Sequence, residues 1–161
     1  MGLKLFFLRH GLAGNSAEWT GPDFERPLTQ AGKDKMKREA ATIAKLGIRL
    51  DVILSSPLVR AFQTAEIVAK RLEIMDRLVA EKRLSPGFGP QALAQLIEER
   101  SRASALMLVG HEPDFGATIG QLIGGGRVEC KKGSLIAVNL PDPSRLKGDL
   151  VWLIPPKVLT L

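Results

Sequence analysis

The sequence predicts an α/β fold: one domain over residues 1–161, a three-layer α/β/α sandwich around a mainly parallel central sheet. Short apolar runs such as Leu5-Phe6-Phe7-Leu8 and Leu106-Met107-Leu108-Val109 end abruptly at polar or charged residues, the mark of strands buried in a parallel sheet. Stretches of helical periodicity separate them, and helices wound between parallel strands cover both sheet faces. At 161 residues the chain suits one domain with a proper core.

Residues 4–8 read as the first strand, followed by a long loop over residues 11–27 that is rich in Gly, Asn, Asp and Pro. Loops of this length are usually functional, yet none of its residues has an assignable role. Thr29 opens a helix with apolar positions Met36, Ala40, Ile43 and Ala44, and Gly47 is its C-cap. The second strand spans residues 51–54. Ser56-Pro57 reads as an N-cap and first helical position, so a helix begins at Pro57 and runs to about Leu72. A short edge strand over residues 78–84, a turn at Ser85-Pro86-Gly87-Phe88-Gly89-Pro90, and a helix over residues 91–100 follow. Residues 105–109 form a strand, and residues 115–123 a helix ended by Gly124-Gly125-Gly126. Two final strands, 135–140 and 150–154, are joined by a polar turn, with no repeat, linker or second domain.

The chain has only two histidines, His10 and His111, each just past an apolar run. In open α/β sheets ligands bind in the crevice outside the carboxyl ends of the strands, so the two imidazoles are expected to be neighbours. Arg60 falls in the first turn of the helix after Ser56, where free N–H groups and the positive dipole end favour an anion. A strand-end histidine alone is often only a packing residue, and an early helical arginine is often only solvated. Arg9, His10, Arg60 and His111 together at one edge make a phosphate site.

These residues resemble a family. Arg9-His10-Gly11, the block Ser55-Ser56-Pro57-x-x-Arg60-Ala61-x-Gln63-Thr64-Ala65 and Val109-Gly110-His111-Glu112-Pro113-Asp114 resemble the signatures of the histidine phosphatase (phosphoglycerate mutase-like) superfamily. Arg26-Pro27-Leu28-Thr29-x-x-Gly32 and His111-Glu112-Pro113 are most similar to the SixA-type phosphohistidine phosphatases, and Gly133-Ser134-Leu135 also resembles the family. The resemblance implies a metal-independent phosphatase that needs no cofactor and forms a phosphohistidine on His10. Its substrate would be phosphohistidine on a phosphorelay (histidine phosphotransfer) protein. A small-molecule phosphate ester is the alternative, and a non-catalytic phosphate-binding regulatory module a further one.

The chemistry expected of the side chains follows from their pKa values and shapes. A neutral imidazole is a competent nucleophile near pH 7, and the second nitrogen of His10 should donate to a backbone carbonyl to fix the tautomer. Arg9 and Arg60 offer planar forks to phosphate oxygens. His111 completes the cradle and is expected to be protonated when phosphate is bound. Relatives acting on phosphate esters use a carboxylate to protonate the leaving group, and Glu81, after Leu78-Val79-Ala80, is the candidate here.

Composition excludes other classes. Hydrophobic residues make up 45% and charged residues 25% of the chain, ordinary for a soluble globular protein. No apolar stretch is long enough to span a bilayer, and Lys4 interrupts the first one, so a cytoplasmic monomer is expected. The net charge of +6 is spread as a solvated helix face, with Lys33, Lys35, Lys37, Arg38 and Lys45 interleaved with Asp34 and Glu39. Tyrosine is absent and aromatics are few, so no stacking platform for nucleic acid exists. Cys130 has Ile136 rather than Arg six residues on, which excludes cysteine-phosphatase chemistry. Pro90 inside Gly87-x-Gly89-x-x-Ala92 argues for a turn over a dinucleotide fingerprint. A metal site assembled from His10, His111, Glu112 and Asp114 would set its cation beside arginines.

Overall fold

The computed structural model describes residues 2–161. Six strands form one sheet: β1 (Leu3–Arg9), β2 (Val52–Ser55), β3 (Leu78–Ala80), β4 (Ala105–Gly110), β5 (Leu135–Leu140) and β6 (Asp149–Ile154), in the order β3-β2-β4-β1-β5-β6. The first four run parallel, and β5 and β6 extend the sheet antiparallel. Every residue of β4 is buried, as its apolar run requires for a central parallel strand.

Helices α1 (Gln30–Lys45) and α2 (Val59–Arg71), with the terminal turn α5 (Pro156–Leu159), cover one face of the sheet. Met36, Ala40 and Ile43 of α1 and Ala61, Ala65 and Val68 of α2 pack there on Phe6, Leu8 and Ile53. Helices α3 (Pro90–Glu99) and α4 (Asp114–Leu122) cover the other, with Leu93, Leu96, Phe115 and Ile119 against Leu5, Phe7 and Leu108. This is the three-layer sandwich expected. Thr29 caps α1 by accepting from the Gly32 amide at 2.9 Å, and Gly47 follows its end with φ +66, the left-handed conformation that favours glycine. Among the described residues no helix is long and apolar enough to cross a membrane.

Two expected boundaries are corrected. The helix predicted from Pro57 starts at Val59, because Leu58 is extended (φ -59, ψ 134) and breaks the helical run; the Ser56 hydroxyl, which accepts from the Leu58 amide, closes a turn just ahead of it. The edge strand expected over residues 78–84 stops at Ala80. The Glu81 carboxylate accepts the Arg83 amide at 2.9 Å and opens a 3-10 turn over Lys82–Leu84.

Register positions the site. Arg9 pairs with Gly110 across β1 and β4, and Ser55 pairs with Val109 across β2 and β4. The three central strands therefore end level, and His10, His111 and Ser56 leave the sheet side by side.

Candidate active site

The imidazoles of His10 and His111 lie with ring centroids 5.3 Å apart and planes at 56°. His10 is fixed by its backbone: its amide donates to Gly110 O at 3.1 Å, and the Gly133 amide donates to the carbonyls of Arg9 and His10. Gly133 has φ +85, and a Cβ there would meet the buried carboxylate of Glu39 at 2.6 Å. That position needs glycine on both counts. The Gly11 amide is held by Thr64 Oγ1 at 3.1 Å, and the same hydroxyl donates to Arg60 O at 2.8 Å. Thr64 thus ties the segment after His10 to the first turn of α2.

A carbonyl oxygen only accepts, so the 2.8 Å contact between His10 Nδ1 and Gly11 O places the proton on Nδ1. The lone pair of Nε2 is left for chemistry, as the sequence led one to expect. Burial, with the fields of His111, Arg60 and Arg9, lowers the His10 pKa to about 3. Burial, with Arg60 and Arg9, likewise lowers His111 to about 4. Both rings are neutral at pH 7 in the ligand-free protein. His111 Nε2 lies 2.8 Å from Ser56 Oγ, which already accepts from Leu58 N and so can turn its own proton toward the ring.

Arg9 donates through one terminal nitrogen to Cys130 O at 3.0 Å. Arg60 donates to the backbone carbonyl of Asp23 at 2.9 Å and to Asp23 Oδ2 at 3.0 Å. Arg9 Nε, Arg60 Nε and His111 Nδ1 are buried and have no partner in the protein. Buried polar atoms are nearly always paired, and a set of two guanidinium donors and one imidazole nitrogen beside the free Nε2 lone pair of His10 matches the oxygens of a phosphoryl group.

Sequence reasoning missed Asp23, Ser56 and Thr64. Asp23 lies in the loop after β1, on a 3-10 turn at Asp23–Glu25, and its other oxygen accepts from Arg26 Nε at 3.2 Å. Its spacing to Arg26 was the only local signal. Glu81 follows β3 at the same sheet edge, its amide on Ser55 O. Its two oxygens belong to Arg83, at 2.8 and 3.0 Å, and these bonds hold its carboxyl below the usual range. The geometry therefore does not bring Glu81 into the site as a protonated donor. Among the described residues no group of three or more His, Cys, Asp or Glu side chains could hold a metal ion.

The family model for the histidine phosphatase superfamily (branch 1) matches residues 5–86. The chain belongs to that superfamily. An uncharacterized protein of Picosynechococcus is 35% identical over 144 residues, 85% of each chain. The phosphohistidine phosphatase SixA of Escherichia coli is 27% identical over 158 residues, 96% of this chain and 94% of that one. The structure of the protein histidine phosphatase SixA complexed with tungstate superposes with a TM-score of 0.85 over 96% of this chain and 98% of that one, at 22% identity. A mycobacterial glucosyl-3-phosphoglycerate phosphatase shares the fold at TM-score 0.71 and 16% identity, over 94% and 98% of the two chains. The SixA-type likeness read from the motifs thus extends along nearly the whole chain.

Proposed function

We propose that this superfamily member is a metal-independent phosphatase in which His10 carries the phosphoryl group and Arg9, Arg60 and His111 bind it. The substrate is phosphohistidine on a phosphorelay protein. The observation that supports the reading most is the set of unpartnered buried nitrogens on Arg9, Arg60 and His111, beside a histidine whose Nε2 is left with a free lone pair.

In the first step His10 Nε2 attacks phosphorus, the substrate P–N bond breaks, and its electron pair leaves with the substrate imidazole. Charge gathers on the equatorial oxygens, where fixed cations already point, so the protein contributes positioning and electrostatics. Water then attacks phosphorus, the P–Nε2 bond breaks, and inorganic phosphate departs with His10 neutral again. An imidazole protonated on the ring nitrogen not bonded to phosphorus leaves as a neutral molecule, so no carboxylic acid is required. That fits Glu81 committed to Arg83. The relative whose name states phosphohistidine is the SixA of Escherichia coli.

A substrate panel tests the reading: a phosphorylated histidine phosphotransfer domain, phosphoserine and phosphotyrosine peptides, and small phosphate esters, each with and without a chelator. The phosphotransfer domain should give the highest kcat/KM, chelation should change nothing, and Glu81→Gln should slow phosphohistidine hydrolysis less than twofold. Faster turnover of small esters would make a small-molecule phosphatase the better reading. Loss of activity on chelation, restored by a divalent metal, would overturn the histidine mechanism.

A further inference from the structure

A carboxylate sits on the cation that the proposed reaction needs. Asp23 Oδ2 and the Asp23 carbonyl take both terminal nitrogens of Arg60, so a carboxylate that also pairs with Arg26 lies directly on a cation of the phosphate site. The two partners differ sharply in exposure: the Arg60 side chain is 7% exposed and that of Asp23 58%. Arg60 belongs to the floor and Asp23 to the mouth.

In-line displacement makes the mouth the relevant place. His10 is buried at the base of the site, and a leaving group departs from the side of phosphorus opposite the attacking atom. The leaving group therefore faces the opening, past Arg60, where Asp23 stands. Its carboxylate is held anionic by hydrogen bonds from Arg60 and Arg26, so it serves there as a charge and not as an acid.

Resting on the phosphatase reading above, we propose that Asp23 is a specificity-determining residue that selects substrates by the charge of the leaving group. Cationic leaving groups are favoured, and groups that carry a carboxylate are rejected. A phosphohistidine ring is cationic in its reacting form, since its imidazole leaves neutral only when the ring nitrogen not bonded to phosphorus is protonated. A phosphorylated hydroxy acid brings its own carboxylate to the same mouth and meets repulsion. The site would thus separate P–N from acidic P–O substrates without a shaped pocket, by one charge. Unlike charges at such range stabilise and like charges destabilise by similar amounts.

The test compares kcat/KM for a capped phosphohistidine peptide and for 3-phosphoglycerate in the wild type, Asp23→Asn and Glu25→Gln. Asparagine keeps an oxygen for Arg60 and removes the charge, while Glu25 is an exposed carboxylate on the same turn. A unit charge facing another across a partly wet mouth, at an effective dielectric constant between those of protein and water, is worth roughly tenfold. Asp23→Asn should therefore lower the phosphohistidine value about tenfold and raise the 3-phosphoglycerate value about tenfold, a change of about a hundredfold in the ratio. Glu25→Gln should leave the ratio within about twofold. If Asp23→Asn scales both substrates alike, Asp23 merely holds Arg60 in place and the assignment is overturned. An equal ratio change in Glu25→Gln overturns it too, by assigning the selection to the rim as a whole. Wild-type protein that hydrolyses neither of these substrates nor any member of the panel above would overturn the phosphatase reading itself, a result distinct from an unchanged ratio.

Discussion

Binding of a dianion should place a proton on His111. In the ligand-free protein burial and the two arginines lower its pKa from 6.5 to about 4, a depression worth about 3 kcal/mol. A dianion in contact with Nδ1, about 4 Å from the ring charge, returns roughly 8 kcal/mol even at an effective dielectric constant near 20. The second quantity is the larger, so the bound pKa rises above 7 and binding takes up one proton. The sign follows: between the free and bound pKa values, affinity increases as pH falls. Sulfate is a suitable probe because it stays a dianion throughout. Its dissociation constant, measured calorimetrically, should tighten about tenfold per unit from pH 7 to pH 5, and buffers of different ionisation enthalpy should report uptake of one proton. The His111→Asn protein should lose the slope. Flat affinity in the wild type, or proton uptake that persists in His111→Asn and so belongs to His10, would refute the reasoning.

Other parts of the site give further expectations. Arg9→Ala and Arg60→Ala should each weaken vanadate inhibition by about tenfold to a hundredfold, the loss of one charge-assisted contact of roughly 1.5–3 kcal/mol; unchanged inhibition in both would show that neither guanidinium meets the anion. Thr64→Val orphans the buried Gly11 amide and frees Arg60 O, so urea unfolding should show a loss of about 1–3 kcal/mol, together with a fall in kcat as the carbonyl that fixes the His10 tautomer moves. Glu39 is buried with its carboxyl pKa raised to about 8. Its stabilisation is complete below the unfolded value near 4.5 and is lost at up to roughly 1.4 kcal/mol per pH unit as pH rises toward 8. Glu39→Gln should flatten the stability profile over that range, and a profile as steep as the wild type's would contradict the assignment.

The sequence made the two ends of β1 and β4 legible because each combines an unbroken apolar run with a histidine at its stop. Parallel register then does the rest: Arg9 opposite Gly110 brings the imidazoles together without any long-range inference. Gly133, noted only for its likeness to the family, clamps the His10 segment by its amide. Asp23 was illegible because its partner, Arg60, is 37 residues away, and a loop without periodicity carries no record of what it touches. Ser56 was misread for a related reason. Ser-Pro is compatible with both an N-cap and a side-chain turn, and nothing local records that the Ser56 hydroxyl also meets His111, which arrives from another strand. Glu81 was placed correctly at the sheet edge, but Arg83, two residues on, took its carboxylate. Local ion pairing outweighed proximity to the site.

The central claim is that His10 Nε2 takes the phosphoryl group. Rapid acid-free quenching of wild-type protein with a phosphorus-32-labelled phosphohistidine peptide, followed by peptide mapping, measures it directly. Label should appear on the peptide containing His10, stable to base and labile to acid, and decay at the rate of turnover, while His10→Ala should show neither label nor turnover. Full turnover by His10→Ala, or label found on a different residue, would contradict it.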